Sequence, residues 1–134
     1  MLLIKESDYS VRIVRALANG MVKNVAAICE EEHIPYNYAY KILKKMEKSG
    51  ILQSLRGRSG GYRLAKSLDS FTLYDVVVSG GGELLVFECL REKAICPRNT
   101  DDALCSVHQE YLDIQNMLEN RFKKKTMLEI TKRV

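Results

Sequence analysis

The stretch ILQSLRGRSGGYRLA, residues 51–65, decides the fold. Ile51–Leu55 reads as one strand and Tyr62–Ala65 as its return. Between them, Arg56-Gly57-Arg58-Ser59-Gly60-Gly61 is a glycine-rich hairpin loop. Arg56, Arg58 and Arg63, set around three glycines, favour an anion-facing loop over a plain surface hairpin. Gly60 and Gly61 let such a backbone turn and approach a partner closely.

Upstream of the hairpin lie three helical patterns. The third spans about Tyr36 to Ser49, with Ala39, Ile42, Leu43 and Met46 as its buried stripe. Pro35 suits its first turn, where a missing N–H costs nothing. Asn37, Lys41, Lys44 and Lys48 share the opposite, exposed face. The second helix is capped by Asn24 and buries Val25, Ile28 and Cys29; Cys29 reads as a small core residue. The first runs from about Ser7 to Asn19, with Val11, Val14, Leu17 and Ala18 inward and Arg12 and Arg15 facing away, and Asn19-Gly20 stops it. A helix-turn-helix with a basic third helix, followed by a two-stranded basic hairpin, is a winged helix. The fold class expected is mainly α.

Downstream, Thr72 and Asp75 form a capping box that opens a short helix ending in Gly80-Gly81-Gly82. An irregular stretch over 88–106 holds Pro97 and three cysteines. A long helix from about Ala103 to Lys125 follows, with Val107, Tyr111, Ile114, Leu118 and Phe122 as a narrow apolar seam. Such a seam predicts packing on another helix, from a second subunit rather than across the small domain that precedes it. Thr126 can cap a last short helix through Arg133. The expected organisation is a winged-helix domain over 1–80, a cysteine-bearing sensor loop over 81–106, and a dimerisation helix with a C-terminal helix over 107–134.

The chain has 134 residues, 46 % hydrophobic and 28 % charged, the balance of one globular domain with an appendage. No apolar run approaches the roughly 18 residues of a membrane span, and Lys5, Glu6 and Asp8 interrupt any export signal. The expected address is the cytoplasm, with no membrane partner. Charge is uneven: residues 1–66 hold 12 Lys/Arg against 6 Asp/Glu, whereas residues 67–134 hold 9 against 11. A net +6 followed by a net −2 points to a polyanion at one end only. With two histidines, no nucleotide loop and no catalytic triad or H-E-x-x-H pattern, an enzyme is not expected.

Arg56–Ala65 resembles the RGxxGGYxLA signature of the winged-helix regulators that include IscR, NsrR, RirA and CymR. The resemblance covers the whole chain. Asp8-Tyr9-Ser10-Val11-Arg12 is similar to that family's first helix, Ile34–Leu52 to its recognition segment, and Phe71–Val77 to its I-T-L-x-D-V-I. Two departures fall on surfaces expected to meet DNA: Ala39-Tyr40 stands where the family often has leucine and a charge, and Arg58-Ser59 where proline is common. The operator sequence therefore does not carry over.

The resemblance implies a homodimer on double-stranded DNA, with two third helices about 34 Å apart on a pseudo-palindromic operator. In that reading Asn37 pairs with adenine or caps its own backbone, and Tyr38 and Tyr40 meet thymine methyls or phosphates. Lys41, Lys44 and Lys48 bind phosphates, while Arg56, Arg58, Ser59, Gly60, Gly61 and Arg63 of the wing approach the adjacent backbone or minor groove. Half-buried packing is an equal alternative for Tyr36 and Tyr38.

Cys89-x6-Cys96-x8-Cys105 is too widely spaced for a zinc knuckle. Three thiolates on a flexible loop suit an iron–sulfur cluster, either 2Fe-2S or 4Fe-4S, with a fourth ligand from elsewhere. The resemblance offers two: His108, three residues after Cys105, or Asp8 from the other subunit. Each has a plainer reading, a solvated histidine or a helix-start aspartate. The cluster would make DNA affinity respond to redox, nitric oxide or iron status. The alternative is a cluster-free regulator controlled by a thiol switch or a protein partner.

Overall fold

Each of the first three helices has one apolar face, and all three faces turn to a shared centre. The computed structural model describes residues 5–100 and 103–132. Helices α1 (Lys5–Leu17), α2 (Val25–Glu32) and α3 (Tyr36–Lys48) lead into a hairpin of β1 (Leu52–Leu55) and β2 (Gly61–Leu64). Then come α4 (Leu73–Ser79), a 3₁₀ turn at Glu88–Leu90, α5 (Ser106–Lys124) and α6 (Met127–Thr131). The architecture is the expected mainly α fold with one two-stranded antiparallel sheet.

Ile13, Val14 and Leu17 of α1 meet Ile28 of α2 and the Ala39-Ile42-Leu43-Met46 stripe of α3, all buried. Each large side chain so buried contributes about 1.5–3 kcal/mol, far more than helix propensity does over one turn. Gly20 takes φ +80° and closes the turn after α1 by donating to the Leu17 carbonyl. Pro35 stands one residue earlier than its expected place. With ψ 135° it is extended, and its carbonyl accepts from Tyr38 and Ala39 to cap α3.

Arg12 and Arg15 lie off the buried face, as expected, but neither is a free surface charge. Arg15 makes a two-pronged pair with the buried Glu32 carboxylate, and Arg12 Nη1 donates to the Glu32 carbonyl, 3.1 Å. The pair holds the Arg15 guanidinium above its ordinary range. Glu32 holds Arg15 by its carboxylate, 17 residues away in sequence, and Arg12 by its main-chain carbonyl, 20 residues away, links that helical periodicity does not carry.

The wing is docked as well as paired. Its register sets Gln53 opposite Arg63 and Leu55 opposite Gly61. Tyr62 and Lys23 exchange backbone hydrogen bonds of 2.8 and 3.0 Å, which fasten β2 to the α1–α2 connection. Gly61, at φ +151°, makes this approach possible: a Cβ there would stand 2.4 Å from the Lys23 carbonyl oxygen. A Cβ on Gly60 would meet the Leu55 carbonyl oxygen at 2.3 Å. Both glycines therefore have a role inside the fold, closing the loop and seating it.

Thr72 and Asp75 form the expected capping box at α4, and Thr126 with Glu129 forms a second at α6. After α4, Gly80 and Gly82 press on α1, while Gly81 faces Lys45 of α3. A Cβ on Gly80 would fall 1.7 Å from Ser10 Oγ, and one on Gly82 2.3 Å from Ser7 Oγ. Helix α6 folds back on residues 68–72, with Met127 donating to the Phe71 carbonyl (2.9 Å) and its side chain buried in the winged-helix core. The expected extension of α6 to Arg133 lies outside the described residues.

Candidate nucleic-acid interface and cysteine segment

Helix α3 buries one stripe and presents the rest to solvent. Asn37, Lys41, Lys44 and Lys48 are exposed, and the Asn37 side chain makes no hydrogen bond among the described residues, so it does not cap its own helix. Tyr36, Tyr38 and Tyr40 are exposed too, by 57 %, 40 % and 47 %; the packing alternative does not hold for Tyr36, whereas Tyr38 also packs edge-on against Tyr9 of α1. A cleft of about 280 Å³ lies where Glu6 of α1 meets Asn37, Tyr38, Lys41 and Lys45 of α3.

The wing carries Arg56, Arg58 and Ser59 exposed on its loop. Arg56 and Arg58 have no ion pair among the described residues, so both guanidinium groups are open to an anionic ligand. Arg63 lies on β2 and donates from Nε to Gln53 across the ladder, 3.2 Å. Exposed α3 and the open wing arginines offer cations, an amide and aromatic rings, the group types that phosphates and base edges accept.

The cysteine segment hangs between α4 and α5. Cys89 sits in the 3₁₀ turn, Cys96 in the loop and Cys105 at the N-cap of α5; all are free and partly buried. Helix α5 begins at Ser106 rather than Ala103 because the Cys105 N–H is given to Asn99 Oδ1, 3.0 Å, while Ala103 closes a turn on Thr100. His108, in the first turn of α5, has a buried Nδ1 without a hydrogen-bond partner among the described residues. Asp8 instead pairs with Arg12 within its own helix, 3.0 Å. Among the described residues, no three His, Cys, Asp or Glu side chains stand close enough to hold a metal ion. The expected grouping of Cys89, Cys96 and Cys105 is therefore absent from this arrangement. Cys29 packs against the core, and burial pushes its thiol pKa up.

Residues outside the sequence motifs hold the segment in place. Buried Gln115 of α5 accepts from the Val86 N–H, 2.9 Å, and donates to the Leu84 carbonyl. Phe87 stacks on Tyr111, ring centroids 3.5 Å apart. Arg91 bridges Glu83 and Glu88, and its bonds to the Glu88 and Glu83 carboxylates hold its pKa above the ordinary range. Tyr111 of the expected intersubunit seam is thus used within the chain, and Ile114, Leu118 and Phe122 are half-buried. Leu112 and Met117, off that seam, are exposed instead.

A helix-turn-helix with a basic third helix and a docked wing is the fold of winged-helix DNA-binding proteins. Across residues 3–133 the chain matches the family model described as "Rrf2: Iron-dependent Transcriptional regulator". The chain belongs to this family; it is a DNA-binding transcriptional regulator and not an enzyme. It is 31 % identical over 116 residues to the HTH-type transcriptional regulator NsrR of Shouchella clausii, covering 84 % of this chain and 78 % of that one. Its fold is similar to that of CymR, the global cysteine regulator of B. subtilis: TM-score 0.80, 16 % identity, 100 % and 98 % of the two chains covered. T. potens IscR is also similar in fold, with TM-score 0.76, 18 % identity and coverage of 99 % and 88 %. Among the described residues no helix is long and apolar enough to cross a membrane.

Proposed function

We propose that the chain acts in the cytoplasm as a homodimeric regulator whose operator affinity is set by an iron–sulfur cluster on Cys89, Cys96, Cys105 and His108. The observation that carries the reading is the donor set. Three unpaired, partly buried thiols and one orphaned imidazole nitrogen fall within 20 residues of each other, on the segment joining the winged helix to α5. Soft thiolates with an imidazole suit iron–sulfur ligation. Asp8 is the weaker candidate for the fourth place because its carboxylate is engaged with Arg12. When bound, the cluster would supply a redox- and nitric oxide-sensitive centre.

What this chain's own residues do follows from their contacts. Gln115 and the Phe87–Tyr111 stack tie residues 84–87 to α5, and the Arg91 bridge braces residues 83–91 internally, so a rearrangement that gathers the cysteines is felt along that helix. Val107, Ile114, Leu118 and Phe122 share one face of α5, Val107 exposed and the others half-buried, and that face is the apolar surface offered to a second copy. Two copies would set their α3 helices on successive major-groove faces of a pseudo-palindromic duplex.

A second reading is favoured by the separation of the cysteines. The chain would be a cluster-free regulator, switched by thiol oxidation or a protein partner. An anaerobic visible absorption spectrum, with iron and sulfide assayed on the same sample, divides the two. Charge-transfer bands with matching iron and sulfide, lost in Cys89→Ala, support the cluster. Colourless, iron-free protein that still binds DNA refutes it in favour of the second reading.

A further inference from the structure

The three tyrosines of α3 are not alike. Tyr38 leans toward α1, its ring edge-on to Tyr9 at 5.7 Å with Lys5 Nζ 5.9 Å away. Tyr36 and Tyr40, one turn apart, instead stack on each other, centroids 6.4 Å apart and planes within 16°. Lys44 continues the row with its ammonium 5.6 Å over the Tyr40 ring and 3.9 Å from Glu47. Glu47 in turn accepts a hydrogen bond from Ser54 of β1. The row Tyr36–Tyr40–Lys44 therefore runs along the wing-side edge of α3, and its one cation is already answered by a carboxylate.

Two exposed rings, fixed in parallel and bordered by Lys41 and Lys48, call for a partner that is anionic yet offers apolar spots. Duplex DNA meets both conditions. In its major groove the apolar feature on a base edge is the thymine 5-methyl group, which hydrophobic side chains recognise by contact. Tyrosine rings lose little conformational freedom on such contact, having only two side-chain torsions.

Resting on the DNA-binding reading above, we propose that Tyr36 and Tyr40 are specificity-determining residues, a paired reader of thymine methyl groups on the wing-side edge of α3. Operator half-sites for this chain then carry 5-methyl pyrimidines at two neighbouring positions. Tyr38, turned to α1, does not belong to the reader, and the lysines position the helix on phosphates without contributing to the preference. Burying one methyl group is worth about a fourfold change in affinity, and two about fifteenfold.

The test selects duplexes from a random pool on the anaerobically purified full chain. Each thymine of the recovered half-site is then replaced by deoxyuridine, which removes only the methyl. The expected result is two neighbouring positions at which deoxyuridine weakens binding about fourfold each. Tyr36→Ala/Tyr40→Ala should bind the thymine and deoxyuridine duplexes equally, with the salt dependence of the parent retained as the sign of an intact fold. Tyr36→Phe/Tyr40→Phe should keep the discrimination. Indifference of the parent chain to deoxyuridine, or discrimination that survives in the double alanine variant, overturns this inference alone. Failure of the parent to retain any duplex overturns the DNA-binding reading together with it.

Discussion

Replacing Gly61 with alanine attacks the joint between the wing and the helices. The residue sits at φ +151°, and a Cβ there would lie 2.4 Å from Lys23 O, 2.6 Å from Lys23 C and 2.8 Å from Asn24 N. These are backbone atoms, so no rotamer change relieves the overlap; the hairpin must withdraw from the α1–α2 connection. A disfavoured backbone conformation costs about 1–3 kcal/mol. Losing the two Lys23–Tyr62 hydrogen bonds adds about 0.5–1.5 kcal/mol each. Gly61→Ala is therefore expected to lower the unfolding free energy by about 2–6 kcal/mol. Gly57→Ala is the matched control: its φ is +104°, but nothing lies within 4 Å of the new Cβ. It should show the backbone cost alone, about 1–3 kcal/mol. Urea titrations followed by circular dichroism give both values, provided the slope of free energy against urea is unchanged. Equal losses in the two variants would refute the argument that β2 is seated by this close approach.

Three further outcomes are expected. Arg56→Ala and Arg58→Ala should each weaken binding to all duplexes alike and reduce the slope of log affinity against log salt by about 1, measured by fluorescence anisotropy. Gln115→Leu leaves the buried Leu84 carbonyl and the part-buried Val86 N–H unpaired and should cost about 1–3 kcal/mol, with faster amide exchange confined to residues 84–91. Glu129 accepts from the Thr126 N–H and hydroxyl, which lowers its pKa. Its stabilisation is thus present above the ordinary carboxylate pKa and lost as pH falls through the lowered one. The melting temperature of the parent chain should exceed that of Glu129→Gln near neutrality, and the gap should close on acidification below about pH 4.5.

The winged helix was legible because its signals are local. The α3 stripe repeats within one helix, the Thr72–Asp75 box spans four residues, and the wing lies in one run of ten. What escaped were contacts between distant segments. Neither Arg15 nor Glu32 announces the other at a separation of 17, and Arg15 taken alone reads as a solvated charge. Gln115 looks like any polar residue on a helix until the 84–86 backbone is brought against it. The α5 seam was legible as an apolar face, but spacing alone does not say which neighbour covers it, and Phe87 takes Tyr111. The cysteine spacing identifies a donor set without saying whether the loop gathers it, since loop conformation has no period to read.

The turn after α4 binds two distant parts of the sequence into a matched set of sizes. Ser10 stands where a Gly80 side chain would be, and Ser7 where a Gly82 side chain would be. Neither side has volume to spare, so a bulkier residue on one strand of this lock can enter only with a smaller one opposite. Among related chains, residue 10 is expected to vary in concert with 80, trading volume across the lock, whereas 82 stays glycine because its Cβ would also lie 2.8 Å from the Val77 carbonyl oxygen. An engineer who wishes to alter the length or stiffness of the glycine run must therefore redesign the first helix at the same time.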